Sequence, residues 1–357
     1  MLQSQENTGS NTEMGKERLF YLDFVRALAA ISIVITHYNA IFLYANPQIN
    51  NCYVIHAFIF NIYIGGFGVS LFLIISGAAL MYVYGQACNL KKFYLKRFKT
   101  LYPMFWIAYI IAFLVIYVWK GAWKYTTIPK GKLLLSVIGM DGYLADVMPT
   151  FYLVGEWFLG FIVIFYFVFP LLRWMINKCP VVLAVISLAV YVILLKWYPI
   201  QFASSKNLLV RLPELLFGMY FIKYIKKVKL PVAIVGLGVL LFNQFFKPDL
   251  PTDLQTTYVG IAAFLVLVYI SQWVRSQRIQ EICQWVSKYS YAIFLVHHIV
   301  IYYVMMTFNL YAITHVESYL IFLGFCVVIA ILSKILFDVD HYINKGVGKL
   351  ISRKQKQ

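Results

Sequence analysis

Residues 22–39 read LDFVRALAAISIVITHYN, an apolar segment interrupted by one acid, one arginine and one histidine. Arg26 and His37 are eleven positions apart, and eleven steps of 100° return a helix to within about 20° of its starting direction. In a helix, both side chains therefore lie on one face, roughly 16 Å apart along the axis. Asp23 precedes Arg26 by three residues, a spacing at which the two can pair and lower the cost of a charge near lipid. The segment predicts a membrane helix with a stripe of ionisable groups.

The composition of the whole chain predicts an integral membrane protein. Of its 357 residues, 62% are hydrophobic and only 13% are charged, with a mean hydropathy of +0.76. A soluble domain averages roughly 25% charged and 45–50% apolar residues, so lipid must solvate most of this chain. The first 20 residues are polar and lack the apolar core of a cleaved signal peptide. We therefore expect the first apolar helix to act as an uncleaved anchor.

Apolar segments long enough to cross a hydrocarbon core of ~30 Å recur along the chain. They predict an all-α integral membrane fold, a bundle of about ten transmembrane helices. The predicted spans are approximately 22–44, 62–84, 101–119, 151–172, 181–198, 207–224, 230–246, 257–273, 289–308 and 317–337. The same division gives a polar cytoplasmic tail (1–20), a transmembrane domain (21–340) and a basic cytoplasmic tail (341–357).

Lys and Arg are unevenly distributed between alternate loops of this arrangement, with 21 on one side and 7 on the other. Cytoplasmic loops are enriched in these residues, so both termini are predicted to be cytoplasmic and the 120–150 loop to face the opposite side. This bias accounts for the net charge of +17, and we expect no nucleic-acid partner. Five scattered Cys without a CxxC pair favour neither a zinc site nor a disulfide framework. We expect no bound metal or cofactor.

The stripe of Arg26 and His37 has two interpretations. In the structural one, Arg26 extends to the membrane surface and His37 hydrogen-bonds a neighbouring helix. In the functional one, both line a site, because ionisable groups at this depth are costly and mark functional positions. Their occurrence on one stripe favours the functional interpretation.

Further motifs follow this stripe in order between about residues 18 and 340. They are GVSLFLIISG (68–77), FYLKRFKTLYPMFW (93–106), GEWFLGFIVIFYFVFPLL (155–172), RLPELLFGMY (211–220) and SYAIFLVHH (290–298). With the Arg-x10-His spacing of the first helix, the ordered set resembles the membrane acyltransferase-3 family, whose members O-acylate surface glycans and related acceptors. One motif departs from the family pattern, which commonly has Arg-x-x-Arg before the Pro. Here Arg97 is followed at that spacing by Thr100, and Lys96 and Lys99 are the candidates for the missing charge.

The resemblance implies an enzyme that transfers an acyl group from acyl-CoA, with acetyl-CoA the first expectation, to a carbohydrate hydroxyl. It implies His37 and Arg26 as catalytic residues and Lys96, Arg97 and Lys99 as donor-binding residues. Further positions expected to line the site are Asp23, Ser76, Trp157, Arg211, Glu214 and His297. The expected partners are acyl-CoA, a carbohydrate acceptor and the lipid bilayer, and the expected location is the cell inner membrane as a multi-pass protein.

The residue chemistry is consistent with these roles and leaves alternatives open. The basic run 91–99 suits CoA phosphates but equally suits topogenic charge and anionic lipid headgroups. His37 is the best general-base candidate, because imidazole accepts a proton near neutral pH; a covalent acyl carrier is the other option. Ser76 fits a hydrogen-bond donor or close helix packing, and Glu214 favours an ion pair with Arg211. His297 and His298 point some 100° apart, so we expect only His297 to face the bundle interior.

The leading functional prediction is therefore a membrane O-acyltransferase, an O-acetyltransferase of surface or lipid-linked polysaccharide. The alternative is a transporter or flippase of a glycan intermediate, whose buried charges would line a permeation path. Transporters of that kind commonly carry paired Gly- or Pro-interrupted spans in two matching halves. No such repeat is evident in the sequence.

Overall fold

The computed structural model describes residues 17–198 and 201–354, with side chains described as far as residue 346, and helices make up most of this part of the chain. Two helices continue as π-helix, over Leu114–Trp119 and Phe221–Ile225, and a two-residue hairpin pairs β1 (Phe58–Ile59) with β2 (Ile62–Tyr63). The α-helices are α1 (Phe20–Leu43), α2 (Ile64–Tyr84), α3 (Leu90–Phe113), α4 (Leu133–Ile138), α5 (Asp141–Leu144), α6 (Trp157–Lys178), α7 (Pro180–Lys196), α8 (Leu212–Tyr220), α9 (Leu230–Phe246), α10 (Thr252–Ser271), α11 (Gln277–Met305) and α12 (His315–Lys354).

Six helical segments of the described chain are long and apolar enough to cross a membrane. They are Phe20–Leu43, Ile64–Tyr84, Leu90–Trp119, Trp157–Lys178, Thr252–Ser271 and His315–Gly346. Helices α7 and α9 are apolar but have 17 residues each, and α8 has 9 before its π-helical continuation. A helix overlaps each of the ten predicted spans, and the protein is a multi-pass membrane protein. The count of ten crossings stays a prediction.

The basic run before the third span is helical, although the predicted spans 62–84 and 101–119 leave it in a loop. Helix α3 begins at Leu90, and the Asn89 side chain caps it by accepting a hydrogen bond from the backbone N–H of Lys92 at 3.0 Å. An Asn in this position satisfies one of the free donors of a helix start. The cap therefore starts the helix eleven residues before the predicted span at 101.

Two other predicted starts were too early. Residues 151–156 form a loop in which Gly155 has a φ of +75°, a conformation that favours glycine, and α6 begins at Trp157. Helix α8 begins at Leu212, with Pro213 in its first turn. At the other end of the chain, α12 continues through the start of the predicted basic tail to Lys354. Residues 1–16 of the predicted N-terminal tail and residues 355–357 lie outside the described residues.

Glycine contacts allow the central helices to approach closely. A Cβ atom added to Gly77 of α2 would lie 2.0 Å from the carbonyl oxygen of Leu215, and one added to Gly218 of α8 would lie 1.9 Å from that of Ile74. Small residues permit this backbone contact between membrane helices. The same bundle packs α1 against both α2 and α11. The outer faces of α7, α9 and α12 expose apolar side chains, as lipid-facing surfaces do.

The bundle has two chemically different ends. The basic end contains the start of α1 and α3 and the ends of α2 and α6. The loop end contains the opposite ends of these helices and the long 120–156 connection. This connection is fixed to the bundle by the Tyr109 hydroxyl, which lies 2.7 Å from the carbonyl oxygen of Phe151 and 2.8 Å from the hydroxyl of Ser136. The connection therefore forms part of the folded body.

Candidate active site

One cavity of about 1060 Å³ is lined by residues from both ends of the bundle. Its walls come from α1, α2, α3, α6, α10 and α11, together with the segment that leads into α8. The polar and aromatic residues that line it are Arg26, Arg97, Thr100, Ser287 and Lys288 towards the basic end, Thr36, His37, Ser76, His297 and His298 between the ends, and Tyr44, Tyr63, Trp157, Ser205, Arg211, Thr252 and Asp253 towards the loop end. The cavity thus joins two kinds of surface within one space.

Helix α1 contributes Arg26 and His37 to the same cavity, as their spacing predicts. His37 lies six residues before the end of α1, so it is about 9 Å along the axis from the loop end. Neither of its ring nitrogens has a hydrogen-bond partner among the described residues. An unbonded imidazole at a cavity wall has the geometry needed to take a proton from a hydroxyl group.

Three histidine rings meet at this level of the cavity. The ring centroids of His37 and His297 are 4.8 Å apart, and those of His37 and His298 are 5.1 Å apart. The expectation that only His297 faces the interior was wrong, because His37 lies between the two directions in which His297 and His298 point from α11. No group of three His, Cys, Asp or Glu side chains in the described part of the chain is arranged to hold a metal ion.

A hydrogen-bond network fixes Arg26, although not in the way the sequence suggested. Asp23 pairs with Arg18 at 2.5 Å and accepts a hydrogen bond from the Ser287 hydroxyl at 2.6 Å. Arg26 Nη1 in turn donates to the oxygen of Ser287 at 3.4 Å. The direct Asp23–Arg26 pair is therefore replaced by a bridge through Ser287 of α11. The physical reason is that Arg18, before the helix, reaches the same carboxylate.

Arg97 is the residue of the basic run that borders the cavity. Its Nη2 donates to the Tyr84 hydroxyl at 3.3 Å, and its guanidinium lies 5.6 Å from the ring centroids of both Tyr84 and Tyr166. Aromatic faces on a guanidinium restrain it without neutralising its charge. Its Nε is buried and has no hydrogen-bond partner among the described residues. Arg97 therefore presents an uncompensated cation with a free donor.

The other two predicted donor-binding residues lie elsewhere. Lys96 and Lys99 are exposed and do not line the cavity. Since α3 is already helical here, successive side chains point about 100° apart, and the cavity side of α3 falls to Arg97, Thr100 and Leu101. The suggestion that these two lysines replace the missing second arginine of the motif is not supported by their position.

Three of the remaining predicted site residues, Ser76, Arg211 and Glu214, bond to other protein groups. Ser76 borders the cavity but donates to the carbonyl oxygen of Phe72 at 2.7 Å, one turn earlier in its own helix. Arg211 and Glu214 form a buried ion pair, with Nη2 and Oε1 2.9 Å apart and exposures of 2% and 0%. Arg211 lines the cavity, and its Nε has no hydrogen-bond partner in the described structure, whereas Glu214 faces away from the cavity. Breaking such a pair strands a buried charge, so both residues support the fold around the loop end.

Trp157 is positioned at the loop end by the turn that precedes α6. The Glu156 carboxylate accepts hydrogen bonds from the backbone N–H of Val154 at 2.8 Å and Leu153 at 3.4 Å. Gly155 brings this turn against His298, where an added Cβ would lie 3.1 Å from the histidine Cβ. Burial raises the pKa of Glu156 to about 8. This turn therefore connects the wall at Trp157 to the histidine cluster.

A comparison of the sequence with known families identifies the family of the protein. The family model described as an acyltransferase domain, acyltransferase 3, matches residues 19–338. The chain belongs to the acyltransferase-3 family. It is accordingly a membrane acyltransferase. No curated protein and no solved structure matches the chain in the corresponding comparisons.

Two residues at the cavity of this acyltransferase, Lys288 and His298, are not among the predicted site residues. Lys288 of α11 lies at the basic end, beside the Ser287 that holds Arg26. His298 borders both the main cavity and a second one of about 260 Å³ that is lined mainly by tyrosines. Lys288 lies two positions before the SYAIFLVHH motif, and His298 is the last residue of that motif. Their use depends on how α11 is rotated about its axis, which its own sequence does not specify.

Proposed function

We propose that this acyltransferase transfers an acyl group, acetyl in the first instance, from cytoplasmic acyl-CoA to a hydroxyl group of a surface or lipid-linked carbohydrate. The observation that carries the proposal is the single cavity that leads from arginines at the basic end, past three histidines, to an aromatic and polar loop end. These three surfaces match the three requirements of the reaction in order. The arginines suit an anionic donor, the histidines suit a proton transfer, and the loop end suits a sugar-like acceptor.

The basic end suits the donor because CoA carries several phosphate groups. Arg97 offers an uncompensated guanidinium with a free buried Nε, and Lys288 adds a second cation to the same wall. Arg26, held by Ser287, lies further into the cavity. Arginine binds phosphate oxygens through pairs of parallel hydrogen bonds, which is why a restrained guanidinium suits this role.

His37 suits the proton transfer as a general base. One of its nitrogens takes the proton of the acceptor hydroxyl while the oxygen forms a bond to the thioester carbonyl carbon. The carbon–sulfur bond then breaks with its electron pair on sulfur, and the proton passes from His37 to the CoA thiolate, which completes the balance. Thr36 lines the cavity beside His37 and has a buried hydroxyl without a partner in the described structure, so it can donate to the oxyanion that forms.

The loop end suits a carbohydrate acceptor. Trp157 offers an aromatic face, and Asp253, Thr252 and Ser205 offer hydroxyl-binding groups on the same cavity. Arg211 is already paired with Glu214, so it contributes directed N–H groups without a net positive charge. A surface of aromatic and polar groups whose arginine is already paired with an acid fits a sugar better than it fits a second phosphate-rich ligand.

The proposed direction of transfer requires the basic end to face the cytoplasm and the protein to reside in the cell inner membrane. The distribution of 21 Lys and Arg against 7 between alternate loops supports this orientation. Reporter fusions after residues 10, 135 and 350 test it. We expect cytoplasmic signals at 10 and 350 and a non-cytoplasmic signal at 135; a cytoplasmic signal at 135 would contradict the orientation.

The proposed function is tested by mass spectrometry of surface glycans from cells with the parent protein, without it, and with His37→Gln. We expect a mass increment of one acyl group that is present with the parent and absent in the other two. Glycans that disappear from the surface but keep their mass inside the cell would instead favour the flippase. An acyl group trapped on the parent protein but not on His37→Gln would change His37 from base to covalent carrier.

A further inference from the structure

His297 is held in one tautomer by its own helix. Its Nδ1 lies 2.9 Å from the carbonyl oxygen of Ile293, one turn earlier in α11. A carbonyl oxygen can only accept a hydrogen bond, so Nδ1 carries the proton and Nε2 of the neutral ring is a bare acceptor. That Nε2 is buried and has no hydrogen-bond partner among the described residues. A buried acceptor without a donor costs free energy, which points to a donor supplied at some stage of the reaction.

Among the rings in contact with His297, that of His37 is the nearest. Its ring centroid is 4.8 Å from that of His297, whereas the other rings against His297, those of Phe294 and His298, are 6.3 and 6.4 Å away. A centroid separation of 4.8 Å allows a nitrogen of His37 to lie within hydrogen-bond distance of His297 Nε2 once rotation about the His37 side-chain bonds turns that nitrogen towards it. Both nitrogens of His37 are free to take part, as described above.

We propose that His297 is the positioning residue of His37: its Nε2 accepts a hydrogen bond from one nitrogen of His37 and so leaves the other nitrogen bare towards the acceptor hydroxyl. The inference rests on the proposed function, in which His37 is the base. Without such a partner, a neutral imidazole divides between two tautomers, and one of them presents N–H instead of a lone pair to the substrate. The Ile293 carbonyl oxygen fixes the tautomer of His297, and the Nε2 of His297 then fixes the tautomer of His37. His297 keeps the proton on its own Nδ1 throughout the reaction.

A neutral partner is suited to this depth in a membrane. Many hydrolases and transferases orient a catalytic histidine with a carboxylate. Here the carboxylate on the cavity wall is that of Asp253, in the first turn of α10 at the loop end, and the Glu156 carboxylate is bonded to the backbone N–H groups of Val154 and Leu153. An isolated carboxylate beside the histidines would be costly among apolar helices. An imidazole acceptor orients the base without adding a charge. When His37 holds the substrate proton, its bond to His297 becomes charge-assisted and stronger, which stabilises that intermediate state.

His298 provides the comparison within the same helix. Its ring is nearly as close to His37, at 5.1 Å, but has no hydrogen bond to the described residues and lies half-buried between Tyr152 and Tyr302. Its tautomer is therefore not preset by the backbone. Proximity alone would make the two histidines equivalent, whereas the tethered Nδ1 distinguishes His297.

The test compares His297→Gln, which keeps an acceptor oxygen near the position of Nε2, with His297→Phe, which keeps a ring and removes the acceptor. Transfer is measured in membrane vesicles that carry the native glycan, with radiolabelled acetyl-CoA as the varied substrate. We expect kcat to fall about 10²-fold for the Phe variant and less than about 10-fold for the Gln variant, with an unchanged KM for acetyl-CoA in both. His341→Gln, at an exposed histidine of α12, is the control and should match the parent.

The order of the two variants decides the outcome. A residue that only packs tolerates Phe better than Gln. The proposal would therefore be overturned if the kcat of His297→Phe were equal to or higher than that of His297→Gln. A full effect in His298→Gln together with a normal rate in His297→Phe would also overturn it, in favour of His298. Failure of the proposed function is separate, because the parent protein would then incorporate no label at all. Protein levels and thermal unfolding of each variant exclude loss of fold as the cause.

Discussion

The two ends of the cavity are built from different chemistry. At the basic end, Arg97 and Lys288 have no acidic partner among the described residues, and Arg26 reaches Asp23 only through Ser287. At the loop end, the cations are compensated: Arg211 pairs with Glu214, and Lys206 pairs with Asp146 at 2.7 Å. The unpaired cations of the basic end therefore suit an anionic ligand, and the paired cations of the loop end suit a ligand without negative charge, as the proposed function requires.

The cavity volume by itself does not distinguish an enzyme from a transporter, because a cavity lined by residues from both ends of the bundle fits either. Three histidines between a cationic and a compensated end fit a reaction in which two ligands approach from opposite sides and meet at a base.

Substitution at the centre should have the largest effect. We expect His37→Gln to lower kcat by about 10²–10⁴-fold, because glutamine keeps hydrogen bonding but cannot take a proton. The KM for acetyl-CoA should stay within about twofold of the parent, since the donor end is untouched. Vesicle assays with radiolabelled acetyl-CoA measure both constants. A kcat near that of the parent would leave the Arg-x10-His spacing as a packing feature.

At the basic end, Arg97→Ala should raise the KM for acetyl-CoA by roughly 10- to 100-fold, the loss of a charge-assisted hydrogen bond of about 1.5–3 kcal/mol. Salt should raise the KM of the parent more than that of the variant, because part of the Arg97 contact is Coulombic. Arg275→Ala, an exposed arginine at the same end, is the matched control. The pair Lys96→Ala and Lys99→Ala should behave like this control; a KM increase as large as that of Arg97→Ala would contradict the assignment of the donor site to the cavity wall.

At the loop end, Trp157→Ala should weaken acceptor binding by roughly 2- to 10-fold, as expected for loss of an aromatic contact worth about 0.5–1.5 kcal/mol. The KM for acetyl-CoA should not change. The measurement varies the glycan content of the vesicles at saturating acetyl-CoA. Trp197→Ala, at an exposed tryptophan of the same end, is the control. If Trp157→Ala changed the donor KM instead, the two ends would not be separate sites.

The smallest effect is expected from the turn before Trp157. Since burial raises the pKa of Glu156 to about 8 from an ordinary value of 4.5, the folded protein favours the protonated form. The stability this gives is fully present below pH 4.5 and is lost as the pH rises through 8. Thermal unfolding should therefore show a Tm that falls by several degrees between pH 6 and 9 in the parent but stays level in Glu156→Gln. Asp249→Asn, at an exposed acid, should keep the slope of the parent; a level Tm in the parent would contradict the account.

Sequence alone predicted a large part of this arrangement. The alternation of apolar and basic segments indicated an all-helical membrane protein, and the ordered motifs indicated the family that the comparison then showed. The eleven-residue spacing of Arg26 and His37 correctly predicted a shared face, because periodicity along one helix is a local property. The ion pair of Arg211 and Glu214 was predictable for the same reason.

What the sequence missed depends on contacts between helices. The Asp23–Ser287 hydrogen bond joins residues more than 260 positions apart, and the sequence around Asp23 gives no indication of this partner. His298 and Lys288 line the cavity because α11 is rotated against α1, and Lys96 and Lys99 point away because α3 starts earlier than its apolar part. Hydropathy indicates the part of a helix that is surrounded by lipid. It does not indicate where a helix begins or ends when the helix continues into water.

In the proposed function, the acyl-CoA donor enters at the basic end from the cytoplasm, and His37 takes the proton of an acceptor hydroxyl that approaches from the loop end. Sealed inside-out and right-side-out vesicles, each given radiolabelled acetyl-CoA from outside, test it in one measurement. We predict labelled glycan in the inside-out vesicles alone, and in neither preparation with His37→Gln. Equal labelling of both parent preparations, or labelling of the right-side-out vesicles alone, would contradict the claim.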